Sequence, residues 1–455
     1  NHYKARFTIW GFRYAKVETE ADLTGAVFTA IAVYSDMEET GQFECSDPDV
    51  CRLVKNSIWS MKSNFCDVPT DCPTRERAAW TGDMGVFIDA GLYLEDCYPV
   101  VRKWLAECRA NQYPGGEVAM IAPRVSHISP MQRILSGSVG WGDACIIVPY
   151  ALYRRYGDLR ILEENYEMMK KWYGFLEKRA QQTGAVLQAE HPLANFVIDT
   201  GVDYGEWCEP DQNTDLREVM GHPQYKVATA YFARSGRMLS EIAAALGREE
   251  EAAHYREVSE KAADAFRLTC TDQGKIHSDR QAEYVRAIAF GLLDESGEKA
   301  AAEELNRMIL ENGCHLNTGF LSTPMLCETL ARYGYTDTAY RLLLQDTMPG
   351  WLYAVKKGAT TIWECWDGID EQGKVKNSLN HYSYGAVCDW LFGGVCGIRV
   401  EYGRHRSPDA AGQPDVRVTL RPQPDPKLSY ARASYRSPLG EITSGWRYEG
   451  EDLRY

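Results

Sequence analysis

Along the chain, the spacing of apolar side chains changes period twice. Residues 6 to 18, RFTIWGFRYAKVE, are rich in β-branched and aromatic side chains and predict strands around Gly11. Thirteen such residues cannot form a stable sheet alone, so they are expected to be the last strands of a β-domain that starts earlier. From about residue 47 the period becomes helical. Segment 47–65 offers Asp47 or Asp49 as N-cap and places Val54, Ile58 and Met61 on one face. Segment 158–179 carries Leu162, Tyr166, Met169, Tyr173 and Leu176 in steps of four and three. Further helices are predicted near 84–94, 97–111, 144–156, 224–246, 248–267, 281–292, 297–311, 322–334, 337–345 and 381–394. After Gly397 the alternation returns at 416–420, 430–437 and 441–450, separated by turns with Pro and Gly.

About a dozen helices without a short fixed repeat point to paired helices wound into an (α/α)6 barrel, with an irregular solenoid or bundle as the rival. The expected architecture is mainly α, flanked by partial β-sandwich segments at both ends. Residues 1–40 would be the end of an N-terminal β-domain and linker, 41–397 the barrel, and 398–455 an incomplete C-terminal β-sandwich. The long acidic and aromatic stretches fall between helices, where barrel loops collect at one mouth.

Composition narrows the function classes. The chain has 455 residues, with 50 basic against 64 acidic side chains and a net charge of −14. This opposes a nucleic-acid partner, which needs a concentrated basic face. No apolar run of about 18 residues predicts a membrane span. Of the 14 Cys, Cys51, Cys108, Cys145, Cys327 and Cys388 fall inside helical patterns and no C-x-x-C pair occurs, which reads as reduced thiols in a cytoplasmic setting. The chain opens on Asn1-His2-Tyr3 rather than Met and is expected to begin inside a longer polypeptide. No zincin, P-loop, Rossmann or G-x-S-x-G pattern occurs, so neither a metal nor a cofactor is expected.

Two stretches carry candidate chemistry. DVPTDCPTRERAAWTGD at 67–83 packs Asp67, Asp71, Glu76 and Asp83 with Arg75, Arg77 and Trp80 into 17 residues. It reads either as a surface loop of mixed charge or as a rigid, partly buried loop whose carboxylates are paired or functional. GATTIWECWDGI at 358–369 sets Glu364 between Trp363 and Trp366. That arrangement reads either as a sugar subsite with stacking indoles or as core tryptophans on a helix N-terminal turn. Trp141-Gly-Asp143, Asp203-Tyr-Gly-Glu-Trp207 and Asn380-His381-Tyr382 each set a polar group beside an aromatic, and each alone reads as a structural corner. Two separated acidic-aromatic loops on one barrel favour a paired-carboxylate glycosidase, which needs one protonated carboxyl and one ionised carboxylate in an aromatic pocket.

The stretch DCPTRERAAWTGD at 71–83 resembles the signature of the α-L-rhamnosidases of glycoside hydrolase family 78. TTIWECWDG at 360–368 and SLNHYSYGAVCDWL at 378–391 resemble that family's later motifs, in the same order. GFRYAKVE at 11–18 resembles the end of the β-domain before its barrel, and the final 60 residues its C-terminal β-sandwich. The resemblance implies a hydrolase that releases α-L-rhamnose from a rhamnose-containing glycoside with inversion. It implies Glu76 as general acid and Glu364 as general base. Asp71 and Asp83 would hold sugar hydroxyls, Trp80 would form a subsite wall, and Trp141, Trp207 and Trp363 would be further aromatic contacts. His381 would hydrogen-bond the sugar. Arg75 is placed among the substrate-binding residues, with pairing to a nearby Asp as its alternative. The two flanking arginines would lower the Glu76 carboxyl while nearby carboxylates would raise it, and the carboxylates are expected to win. A related barrel glycosidase with another sugar, a sugar phosphorylase and a non-catalytic carbohydrate-binding protein are the competing functions.

Overall fold

A computed structural model describes residues 9–12, 14–124, 130–182, 184–211, 221–403 and 416–455, with backbone alone for 130–132. Six helical segments form a closed inner ring. They are α2 (Thr81–Leu94), α4 (Ala144–Tyr156), α6 (Tyr225–Ala245), α8 (Gln281–Ala289), α10 (Thr323–Arg332) and a closing segment. Each packs on the next, and the closing segment packs back on α2. Outside them lie α1 (Pro48–Asn64), α3 (Tyr98–Asn111), α5 (Leu159–Ala180), α7 (Glu249–Cys270), α9 (Glu295–Glu311) and α11 (Thr336–Leu343). A short helix α12 (Trp351–Lys356) lies against α1. The architecture is the expected (α/α)6 barrel.

Burial explains which helices are inner. In α2 the buried side chains run all round the axis, from Thr81 and Asp83 through Met84, Phe87, Ile88 and Leu92 to Leu94. A helix buried on every side belongs inside a core. By contrast α7 buries one stripe, Ala252, Tyr255, Val258, Ala262 and Phe266, and turns its glutamates to solvent. The N-cap of α1 is Asp47, whose carboxylate accepts from the Asp49 and Val50 amides at 2.8 and 3.1 Å. The closing segment departs from the single helix predicted at 381–394. It is a 3₁₀ turn (Ser383–Val387), one α turn (Cys388–Trp390) and a π turn (Leu391–Val395).

The C-terminal strands form two antiparallel sheets. One pairs β2 (Ile398–Tyr402) with β3 (Val416–Leu420). The other has the order β1-β4-β5-β6, where β4 is Tyr430–Ser437, β5 Gly440–Glu449 and β6 Asp452–Arg454. Its edge strand β1 (Gly41–Cys45) comes from before the first helix and places Phe43 opposite Ala433. The strands expected at 6–18 are corrected. Residues 6–8 and 13 lie outside the described residues, and 9–12 and 14–18 join no strand. Trp10, Phe12 and Tyr14 are exposed there. Among the described residues no helix is long and apolar enough to cross a membrane.

Candidate active site

The loops entering the inner helices meet at one end of the barrel. Between them lies a small cavity lined, among the described residues, by ten side chains. These are Asp71, Glu76, Trp80, Asp83, Trp141, Tyr204, Trp207, Phe320, Glu364 and His381. Eight of them are the residues expected from the sequence. Each loop is set by local chemistry.

The 71–80 loop is closed on itself. The Asp71 amide donates to the Ala78 carbonyl at 2.9 Å, and the Ala78 amide donates back to the Asp71 carboxylate at 2.9 Å. Asp71 therefore holds the loop that displays Arg75 and Glu76. Trp80 leads directly into α2, and its indole N–H donates to Glu76 Oε2 at 3.0 Å. Gly82 lies under Trp141, where a Cβ would meet the indole at 2.4 to 2.6 Å. Only glycine lets that ring lie on the helix start.

The 203–208 loop is pinned by two buried ion pairs. Arg179 grips Asp203 with both guanidinium nitrogens, at 2.9 and 2.8 Å. Arg286 pairs with Glu206, which also accepts from the Gly319 and Ser322 amides at 3.0 and 2.8 Å. Tyr204 between them is the hub of the aromatic wall. Trp80, Trp141 and Trp207 pack on its ring with centroids 5.8, 4.8 and 5.5 Å away. Asp203 and Glu206 thus anchor the loop that carries Tyr204 and Trp207.

The two glutamates occupy different environments. Glu76 sits at the mouth with its side chain 40% exposed. Enclosure by the wall, then the charges of Asp71 and Glu364, raise its carboxyl above the ordinary value, against the Trp80 indole and Arg75. The direction is the one expected. Glu364 is 7% exposed. Three donors converge on its oxygens: Arg75 Nη1 at 2.8 Å and the Ser378 amide at 2.8 Å on Oε2, and Asn377 Nδ2 at 3.1 Å on Oε1. Arg75 spans the two acids, with its other terminal nitrogen 3.8 Å from Glu76. Its partner is Glu364, not the neighbouring Asp of the alternative reading. Asp71 is itself buried, and burial raises its carboxyl. On the floor, His381 Nε2 lies 2.9 Å from Asp83 Oδ1. Burial alone would lower the imidazole. The hydrogen bond and charge of Asp83, with Glu364 and Asp71 behind it, push it up to about 9.

Trp363 is elsewhere. It is buried against Tyr353, ring centroids 6.3 Å apart, and lines a neighbouring cavity with Trp351 and Trp366. Trp366 packs on Tyr384 and donates to the Thr318 carbonyl at 3.1 Å. The indoles that bracket Glu364 in sequence are core. Adjacent residues of an extended stretch point to opposite sides, and the turn closed by the Gly368 amide on the Cys365 carbonyl at 3.1 Å carries Trp366 away. Cys365 also faces that side, its Sγ 3.8 Å from Cys208 Sγ.

Tyr204, from the Asp203–Trp207 corner, and Phe320, which no sequence pattern singled out, complete the wall. Phe320 packs on His381 with centroids 5.2 Å apart, and its amide donates to the Trp207 carbonyl at 2.8 Å. One signal would have found Phe320. Trp80, Trp141, Phe320 and His381 all stand one to three residues before an inner helical segment.

The ring of helical hairpins thus sets two carboxylates in one aromatic cavity. Residues 38–395 match the bacterial alpha-L-rhamnosidase 6 hairpin glycosidase domain, and 416–455 the bacterial alpha-L-rhamnosidase C-terminal domain. The chain belongs to the bacterial α-L-rhamnosidase family. It is 34% identical to an α-L-rhamnosidase of Formosa agariphila over 98% of its length, covering 46% of that protein. Identity to one of Streptomyces avermitilis is 34% over 98%, covering 40%. The chain therefore spans less than half the length of these relatives. Among solved structures, the Streptomyces avermitilis α-L-rhamnosidase complexed with L-rhamnose superposes with a TM-score of 0.79 at 32% identity. That match covers 92% of this chain and 38% of the other. The native Aspergillus terreus enzyme gives 0.77 at 30% identity, covering 92% and 46%.

Proposed function

We propose that this chain forms the catalytic part of an inverting α-L-rhamnosidase, with Glu76 as general acid and Glu364 as general base. The observation that carries the reading is the contrast between two glutamates lining one cavity. Glu76, at the mouth, has its carboxyl raised, which suits a proton donor to the departing glycosidic oxygen. Glu364, on the floor, is surrounded by donors, which suits an acceptor that takes a proton from water. Arg75 stands between them, 2.8 Å from one and 3.8 Å from the other. An intervening guanidinium keeps the carboxyls apart, which supports the wider inverting spacing of about 6.5–9.5 Å over the retaining one of roughly 5–5.5 Å.

In the mechanism, Glu76 protonates the leaving oxygen as the bond to C1 lengthens. Glu364 removes a proton from water, which attacks C1 from the other side. Asp71, Asp83 and His381 offer polar partners to ring hydroxyls, and Trp80, Trp141, Trp207, Tyr204 and Phe320 offer apolar faces. A 6-deoxy sugar with a methyl on C5 suits such a wall. The rhamnose held by the Streptomyces avermitilis relative supports the same sugar here. The substrate is a terminal rhamnoside, with no nucleic acid or membrane partner, and the 14 free cysteines suit a reducing, cytoplasmic setting.

The test follows product anomers by NMR on an aryl α-L-rhamnoside. Release of β-L-rhamnose by wild type and its loss in Glu364→Gln are expected. Release of the α-anomer first would overturn the inverting assignment, and full turnover by Glu364→Gln would remove the base.

A further inference from the structure

We propose that Asn377 is a positioning residue that fixes the plane of the Glu364 carboxyl, an inference that rests on Glu364 being the base. Glu364 Oε2 is held twice, by Arg75 and by the Ser378 amide, each at 2.8 Å. Those bonds fix one oxygen but leave the carboxyl free to swing about it. The donor to the other oxygen is Asn377 Nδ2, at 3.1 Å. The same carboxamide nitrogen lies 3.2 Å from Cys365 Sγ. A primary amide has two N–H bonds, and both are engaged, one on each of two consecutive residues.

The backbone is built to aim this side chain. Asn377 lies at φ 53°, in the left-handed region that non-glycine residues seldom enter and asparagine enters more readily than most. Three contacts hold it there. The Glu364 amide donates to the Ser378 carbonyl at 2.9 Å, the Lys376 amide donates to the Gly368 carbonyl at 2.9 Å, and Ile369 bridges to Val375. The segment from Glu364 to Ser378 thus folds back on itself, and its returning arm grips the carboxylate where it began. Lys376 beside it is taken by Asp367 at 3.0 Å. Asn377 does not line the cavity, so it acts on the reaction through Glu364 alone. Among the described residues, a single weak, neutral donor on Oε1 leaves that oxygen with a lone pair for water, whereas a cation there would compete with the proton it must take.

The experiment compares Asn377→Gly, Asn377→Asp and Glu364→Gln on an aryl α-L-rhamnoside, with thermal melts. Glycine keeps the left-handed backbone and deletes only the carboxamide. Asn377→Gly should lose on the order of ten- to a hundred-fold in kcat from misorientation of the base, with KM and Tm at wild-type values. Asn377→Asp is isosteric but turns an acceptor on Oε1, and its kcat should fall further. Wild-type kcat in Asn377→Gly overturns the proposal, and so does a loss confined to KM, which would mean direct contact with sugar. If Asn377→Gly does not fold, full kcat in Asn377→Asp overturns it. Full turnover by Glu364→Gln sinks the base assignment itself. An inactive Glu364→Gln beside a fully active Asn377→Gly sinks only the role of Asn377.

Discussion

His381 and Asp83 form a buried pair on the floor of the cavity, with Nε2 and Oδ1 2.9 Å apart and both side chains 4% exposed. The imidazole, pushed up to about 9, is a cation at neutral pH. Its folded-state value lies above its unfolded one, so the stability it contributes is complete below about pH 6.5 and is lost as pH rises through 9. Urea midpoints should therefore fall between pH 6.5 and 9. Asp83→Asn should flatten that decline. An unchanged slope in the variant would disconnect the pair from it.

Glu95 gives a second window. It is fully buried, with Lys62 Nζ 3.4 Å away, and its carboxyl is pushed up to about 7, chiefly by burial. Between its unfolded value and 7 the native state binds the extra proton, so stability falls as pH rises across that range. The same urea series should show this earlier decline, and Glu95→Gln should remove it while leaving the later one.

Replacing either Glu76 or Glu364 by Gln should reduce kcat by about 10²–10⁴-fold, with rhamnose still bound by calorimetry. Loss of sugar binding in step with kcat would place these residues in recognition instead.

Arg179 and Asp203 are 6% and 4% exposed. Asp203→Ala strands a buried guanidinium and should destabilise the chain by about 3–5 kcal/mol, read as a lower denaturation midpoint. Because the pair anchors the loop carrying Tyr204 and Trp207, KM should rise as well.

Gly82→Ala tests the wall. The added methyl meets the Trp141 indole at 2.4 to 2.6 Å, so the ring must move. The strain should cost about 1–3 kcal/mol. KM for an aryl rhamnoside should rise more than kcat falls.

The barrel was legible because its helices carry a strong period. Leu162, Tyr166, Met169, Tyr173 and Leu176 in α5 are all buried, as their spacing requires. The closing segment misled because Gly385, Gly393 and Gly394 permit 3₁₀ and π turns that hydrophobic period does not register. Glu76, Asp83 and His381 came from motif resemblance and meet in the cavity. Trp363 failed for a local reason: proximity in sequence to Glu364 does not survive the alternation of an extended chain. Phe320 escaped because a lone phenylalanine before a helix looks like any core residue. Asn377 escaped because its meaning lies in a φ value, which no side-chain pattern announces.

The pairing of β1 with β4 has a consequence for biosynthesis. Cys45 faces Ala431 across a ladder whose two halves are separated by nearly the entire barrel. On the ribosome, the nascent β1 stays an unmatched edge until the last strands emerge. The helix it leads into, packed against it, lacks its final seat for the same interval. A chain halted before residue 430 would carry every side chain that lines the cavity and still leave its first strand open to pairing with a stranger.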